Sequence, residues 1–289
     1  MGGGSWTTSS FTSYCTTTRG ISASDISLDG TITKSMSSQE MYKSRSLDSA
    51  LNPYNVVREC RDSDEHPYTI PVILALDVTG SMGSAAVEVA KKLNVVMTNL
   101  YDQVKDVEFC VMGIGDLAYD RSPIQISQFE SDIRIAEQMD KVYFEYGGGG
   151  NLYESYTAAW YMGSRHTDLD CWKRGQRGII ITMGDERMNP YIPMDALNAC
   201  TGDGVQSDVD TETLYQEVVE KYDVYHLDVK HRHNHDAGIV PSWMHLLDDK
   251  HFREVTLDTI ADTIVEIIVN ATECSTSAAT INNNGEICW

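Results

Sequence analysis

Hydrophobic and polar positions divide the 289-residue chain into a first stretch without a regular pattern and a longer one that has it. From Tyr68 onward, short apolar runs alternate with segments of helical spacing. Strands are predicted over 70–76, 107–114, 124–126, 142–146, 178–183, 224–229 and 252–257. Between them, helices are predicted over 85–101, 132–139, 153–163, 212–221, 241–247 and 259–270. In the first helix Val87, Ala90, Leu93, Val96 and Leu100 fall on one stripe, as a helix facing a core requires. The run Ile179-Ile180-Ile181 has no polar face, which fits a central strand covered on both sides. Strands alternating with helices imply βαβ units with right-handed crossovers. The predicted fold class is α/β, with a doubly wound, mostly parallel central sheet flanked by helices. There is no internal repeat.

Residues 1–65 read differently. They are rich in Ser, Thr and Gly and poor in aliphatic side chains, so they cannot bury a core alone. This arm is expected to be partly disordered, over 1–35 above all, or to dock on the body or on a neighbouring subunit. A helix is predicted over 39–51, with Met41, Leu47 and Leu51 as anchors, and Tyr54, Val56 and Val57 are able to pack. The main domain is predicted over 66–272. A polar tail, 273–289, follows it and contains Asn282-Asn283-Asn284-Gly285.

Charge and cysteine content narrow the function classes. Against 22 Lys+Arg stand 43 Asp+Glu, a formal net charge of -21. Such a surface repels nucleic-acid phosphates and anionic membranes, and favours cations and basic groups. The seven cysteines contain no Cys-x-x-Cys pair, and Cys110 lies inside an apolar run, so reduced core thiols are expected. The opening Met1-Gly2-Gly3-Gly4-Ser5-Trp6 has neither the basic nor the apolar region of a secretory signal. No run approaches the ~20 apolar residues of a membrane helix. The expectation is a cytoplasmic protein that binds neither nucleic acid nor membrane.

The richest chemistry lies in Asp77-Val78-Thr79-Gly80-Ser81-Met82-Gly83, at the end of the first apolar run. A carboxylate and two hydroxyls at i, i+2 and i+4 are hard oxygen donors and suit Mg2+, or Mn2+ or Ca2+ in its place. In a doubly wound sheet, ligands bind beyond the carboxyl ends of the strands at the switch point. Two other strand ends are expected to meet there. One carries Gly147-Gly148-Gly149-Gly150-Asn151, the other Thr182-Met183-Gly184-Asp185-Glu186. The candidate metal residues are Asp77, Thr79, Ser81, Asp185 and Asn151. The alternative role for Thr79 and Ser81 is to cap the following helix.

This pattern resembles a von Willebrand factor A domain with a metal-ion-dependent adhesion site. The resemblance covers about 68–270. Asp77-Val78-Thr79-Gly80-Ser81 matches the family's Asp-x-Ser-x-Ser with Thr for the first Ser. Gly150 stands where the family's second loop has Thr, with Asn151 as the nearest polar replacement. Asp185 comes two residues later than the commonest spacing of the third motif. The resemblance implies a non-enzymatic scaffold of the bacterial or phage intracellular type. Its site would hold Mg2+ and take an acidic side chain of a protein partner. An AAA+ ATPase system and self-assembly are the partner classes it suggests. The alternative is a structural subunit of a larger assembly that uses arm and tail, with the metal site incidental.

Other constellations carry less. Asp116 and Asp120 are expected at the rim of the same crevice or in a capped turn. His231, His233 and His235 alternate as a Zn2+ site would need, but the polar setting without Cys argues for a solvated loop. The glycine run lacks the Gly-Lys-Ser/Thr of a phosphate loop. No nucleophile elbow is present, and hydrolysis at the metal would have Asp185 or Glu186 as its base.

Overall fold

A computed structural model describes residues 5–146, 151–230 and 236–283, with side chains as far as 273. The predicted glycine loop from Gly147 to Gly150, the histidines His231, His233 and His235, and the last residues of the tail lie outside the described residues.

Six strands build the central sheet: β1 Ile70–Asp77, β2 Val107–Ile114, β3 Ile124–Ile126, β4 Gly178–Gly184, β5 Tyr222–Val229 and β6 Phe252–Val255. Their order is β6-β5-β4-β1-β2-β3. All neighbours are parallel except β3, which runs antiparallel to β2. This is the doubly wound α/β sheet that the alternating pattern predicts. The chain leaves β1 for β2 on one side and returns to β4 on the other, so the switch point falls between β1 and β4.

Five helices matter for the layers: α1 Gly83–Tyr101, α2 Arg134–Met139, α3 Thr157–Arg165, α4 Thr211–Val218 and α5 Ile260–Asn283. Side chains of β1 alternate between two cores, as strand geometry demands. Val72, Leu74 and Leu76 meet α1, α2 and α5. Ile73 and Ala75 meet α3 and α4, where Trp160, Tyr161 and Leu214 are fully buried. The last helix continues well past the predicted 259–270. Among the described residues no helix is long and apolar enough to cross a membrane.

The predicted strand at 142–146 is not one. The amide of Gln125, on edge strand β3, accepts from Tyr143 N–H at 2.9 Å and donates to Tyr143 C=O at 2.7 Å. A side chain thus does what a strand's main chain would do, and no ladder follows. Val142 and Phe144 are nevertheless buried. The alternation reported burial, which a strand and a pinned loop share.

The arm supplies one wall of the α1 core. Trp6, Phe11, Cys15, Ile21, Ile32 and Met41 join the cluster that contains α1. Buried Asn94 of α1 accepts from Trp6 Nε1 at 2.8 Å and donates to Asp29 C=O at 2.7 Å. Buried Arg19 makes a two-pronged pair with Asp140 at 2.7 and 2.9 Å, and Tyr14 donates to the same carboxylate at 2.8 Å. A Ser/Thr-rich segment without its own core is ordered here by polar partners that the body provides.

Candidate functional site

β1 delivers Asp77 to the carboxyl end of the sheet, and the chain turns at once into α1. Asp77 Oδ1 accepts from the Thr79 N–H at 2.8 Å and from the Thr79 hydroxyl at 2.5 Å. A short acidic side chain that bonds the backbone two residues on is what a tight turn here favours. The Thr79 and Ser81 hydroxyls lie 3.2 Å apart, and Ser81 donates to Asp185 Oδ1 at 3.0 Å. Asp185 follows β4, the neighbour of β1. An unbroken polar chain therefore joins the ends of the two strands that flank the switch point. Neither hydroxyl caps α1: its N-cap is Met82, and no side chain bonds there.

Two further residues belong to the site, and sequence reasoning missed both. Tyr156 is fully buried and donates to Asp77 Oδ2 at 2.8 Å. Gly184 makes room for it, since a Cβ there would sit 1.9 Å from the Tyr156 hydroxyl oxygen. Glu154 is buried nearby, on a two-residue strand that pairs Tyr153 with Arg187 and Glu154 with Met188. Burial and then the negative charge of Asp77 push the Glu154 carboxyl up to about 10. Burial, with Asp185 opposing the bonds from Thr79, raises Asp77 to about 7. Burial thus disfavours the ionised form of both groups.

Of the predicted site residues, Asp77, Thr79, Ser81 and Asp185 come together. Asn151 does not join them: its amide donates to Asp116 Oδ2 at 2.8 Å. Asp116 is buried beside that loop, and its N–H donates to Asp120 Oδ2 at 2.8 Å.

The donor set is all oxygen, two carboxylates and two hydroxyls, so it fits a hard divalent cation better than zinc or copper. Positive charge there would favour the ionised forms of Asp77 and Glu154, which burial opposes. Among the described residues no three His, Cys, Asp or Glu side chains form a metal cluster by themselves. The hydroxyls are thus essential members of any cation shell here.

Two other features lie at the opposite end of the strands. A cavity of 690 Å³ is bordered by Tyr68, Lys105, Arg177, Asp223 and Val269. Two of its charged groups, Arg177 and Asp223, pair with each other at 2.6 Å. Ser131, His66 and Asp106 also align, with 3.2 Å from Ser131 Oγ to His66 Nε2 and 3.2 Å from His66 Nδ1 to Asp106 Oδ1. The spacing is that of a nucleophilic triad, but Ser131 is fully buried. The alignment ties the segment ahead of β1 to the loop before β2 and to the segment after β3.

No family model matches the sequence, and no curated protein does. Solved structures do. The pilus adhesin SpaC from Lactobacillus rhamnosus GG, in its open conformation, is 11% identical with a TM-score of 0.48, over 75% of this chain and 31% of the adhesin. Proximal thread matrix protein 1 from the mussel byssus is 9% identical with a TM-score of 0.46, over 71% of this chain and 48% of that one. The vWF domain of the type V pili tip protein Mfa5 from Porphyromonas gingivalis is 13% identical with a TM-score of 0.41, over 76% of this chain and 98% of that domain. The chain spans about a third of the length of the pilus adhesin.

Proposed function

We propose that this chain is a von Willebrand factor A-type binding module, non-enzymatic, that engages a protein partner through a divalent cation held at the carboxyl end of its sheet. The observation that carries this reading is the polar chain Asp77–Thr79–Ser81–Asp185 across the β1/β4 switch point. Thr79 and Ser81 would hold the ion through their hydroxyls, and Asp77 and Asp185 would balance its charge. Bound there, Mg2+ supplies positive charge and open coordination positions for a partner's acidic side chain. Tyr156 orients Asp77 from behind, and Gly184 lets it do so. The alternative of an arm exchanged between subunits has less support, because Trp6, Phe11 and Ile32 are already buried against this chain's own α1.

The test is thermal melting against Mg2+ and Mn2+ for the native chain, Asp77→Ala and Ser81→Ala. A ligand confined to the folded state stabilises it by about 2.7 kcal/mol at a hundred times its dissociation constant. The native melting temperature should rise with either ion, and neither variant should respond. A native chain indifferent to both ions removes the metal from the reading.

A further inference from the structure

The mouth of the crevice carries features that a cation alone leaves unused. Four large side chains stand exposed on the loops that meet there. Tyr119 and Leu152 are 58% and 52% exposed, and Tyr146 and Tyr153 are each 37% exposed. Tyr119 lies within the turn from Asp116 to Asp120, and Tyr153 directly precedes Glu154. Tyr146 passes beside the candidate metal loop, its carbonyl 3.3 Å from where a Cβ on Gly80 would sit. Single exposed aromatics are ordinary, but a group on converging loops marks a contact surface.

Negative charge predominates between these rings, although Arg187 lies beside Tyr153. Asp77, Asp116, Asp120 and Glu186 all act on Glu154, and Glu145 acts on Asp120. Glu154 is 6% exposed, and its Oε2 has no hydrogen-bond partner among the described residues. The guanidinium beside this group, that of Arg187, is taken up by Asp236 at 2.6 Å. The carboxylates of this rim, Asp116, Asp120, Glu145 and Glu186, make it a place for a cationic group to arrive. Tyrosine faces around it are the surfaces on which ammonium and guanidinium groups rest.

We propose that the partner surface seated on this crevice is basic: a protein segment whose Lys or Arg side chains lie over Tyr119, Tyr146 and Tyr153. This rests on the reading above in placing the partner at the crevice, but it does not require the metal. An acidic side chain that reaches the ion between Asp77 and Asp185 must pass the carboxylates of the rim. Flanking Lys or Arg residues offset that repulsion, so the recognised segment is a lone acid in a basic surround.

Five seven-residue peptides test this on the full chain. Three have a central glutamate flanked by lysines, glutamines or glutamates, the fourth has a central glutamine flanked by lysines, and the fifth is all glutamine. With Mg2+ at low salt, lysine flanks should bind about tenfold more tightly than glutamine flanks, with glutamate flanks weakest. The preference should shrink as salt rises. In EDTA the peptide without glutamate should still outbind an all-glutamine control. The double variant Tyr119→Ser/Tyr153→Ser, at exposed positions that leave the core intact, should weaken the lysine-flanked peptides several-fold and spare the glutamine-flanked one. Equal affinity for lysine and glutamine flanks, or indifference to the tyrosine pair, overturns the proposal. Persistence of the lysine preference without any effect of Mg2+ overturns the metal reading alone and leaves the basic partner standing.

Discussion

Replacing Gly184 by Ala should unseat the site by a steric route that can be followed atom by atom. The new Cβ would lie 1.9 Å from the Tyr156 hydroxyl oxygen and 2.2 Å from the ring carbon that bears it. Gly184 ends β4 and is paired with Asp228 of β5, which limits how far its main chain can retreat. Tyr156 is fully buried, with Trp243 at 5.5 Å and His226 at 5.1 Å between ring centroids, so it cannot swing aside. Overpacking of this kind costs about 1–3 kcal/mol. Pulling the hydroxyl from Asp77 leaves a buried carboxyl oxygen without its donor, a further ~1–3 kcal/mol. Together these lower the melting temperature by on the order of 10 °C in a chain of this size. Urea unfolding of Gly184→Ala, Tyr156→Ala and the double variant separates the causes. With the ring gone, the added methyl meets none of those atoms, so Gly184→Ala should cost little in the Tyr156→Ala background. The reasoning fails if Gly184→Ala stays within about 0.5 kcal/mol of the native chain, or costs as much without Tyr156 as with it.

Asp140→Ala should free the arm. Arg19 would be left buried and unpaired, which costs about 3–5 kcal/mol. Limited proteolysis should then cut ahead of residue 66 under conditions that leave the native chain whole; an unchanged digest would count against the pairing. His226 gives a pH prediction whose sign follows from its burial. The imidazole is stacked on Trp243 at 3.6 Å, and burial holds it well below its ordinary 6.5. Below pH 6.5 the unfolded chain takes up a proton that the folded chain refuses, so this residue removes up to about 1.4 kcal/mol of stability per pH unit there. Asp77 and Glu154, raised by burial, act in the opposite direction. The comparison is therefore between the native chain and His226→Phe, unfolded with urea at about pH 7.5 and about pH 5.5. The native chain should lose more, and parallel losses would refute the assignment.

The fold was legible because its signal is long and redundant. Apolar runs of seven or eight residues mark β1, β2 and β4, and at that length the flanking turn residues and the alternation with segments of helical spacing identify them as strands. What failed was pairing. Residues 142–146 have strand-like burial, and nothing in their own sequence says that the Gln125 amide will occupy their hydrogen-bonding groups. The arm is a related case. Its composition says that it has no core, but not that Asn94, Asp140 and the face of α1 will supply one.

The site was half legible, and the division follows from distance along the chain. Asp77, Thr79 and Ser81 lie within one turn, so their convergence is a property of local geometry. Asp185 was reachable through the switch-point rule, and its shifted spacing did not keep it from Ser81. A second-loop ligand was expected at Asn151, next to Gly150, yet the structure turns Asn151 to Asp116 and brings Glu154 and Tyr156 to the site. The cause is the pairing of Tyr153–Glu154 with Arg187–Met188, which pins that loop to the segment after Asp185. Two residues of strand are too few to leave a period in the sequence, so the signal did not exist to be read. Its consequence is directional. Asp77, Thr79 and Asp185 are buried, while Ser81 is partly exposed. In the proposed module Ser81 is thus the group of the polar chain that a partner would meet first, with Asp77 held behind it by Tyr156. Substituting Ser81 would change what that partner touches, whereas substituting Tyr156 changes the packing and hydrogen bonding behind it.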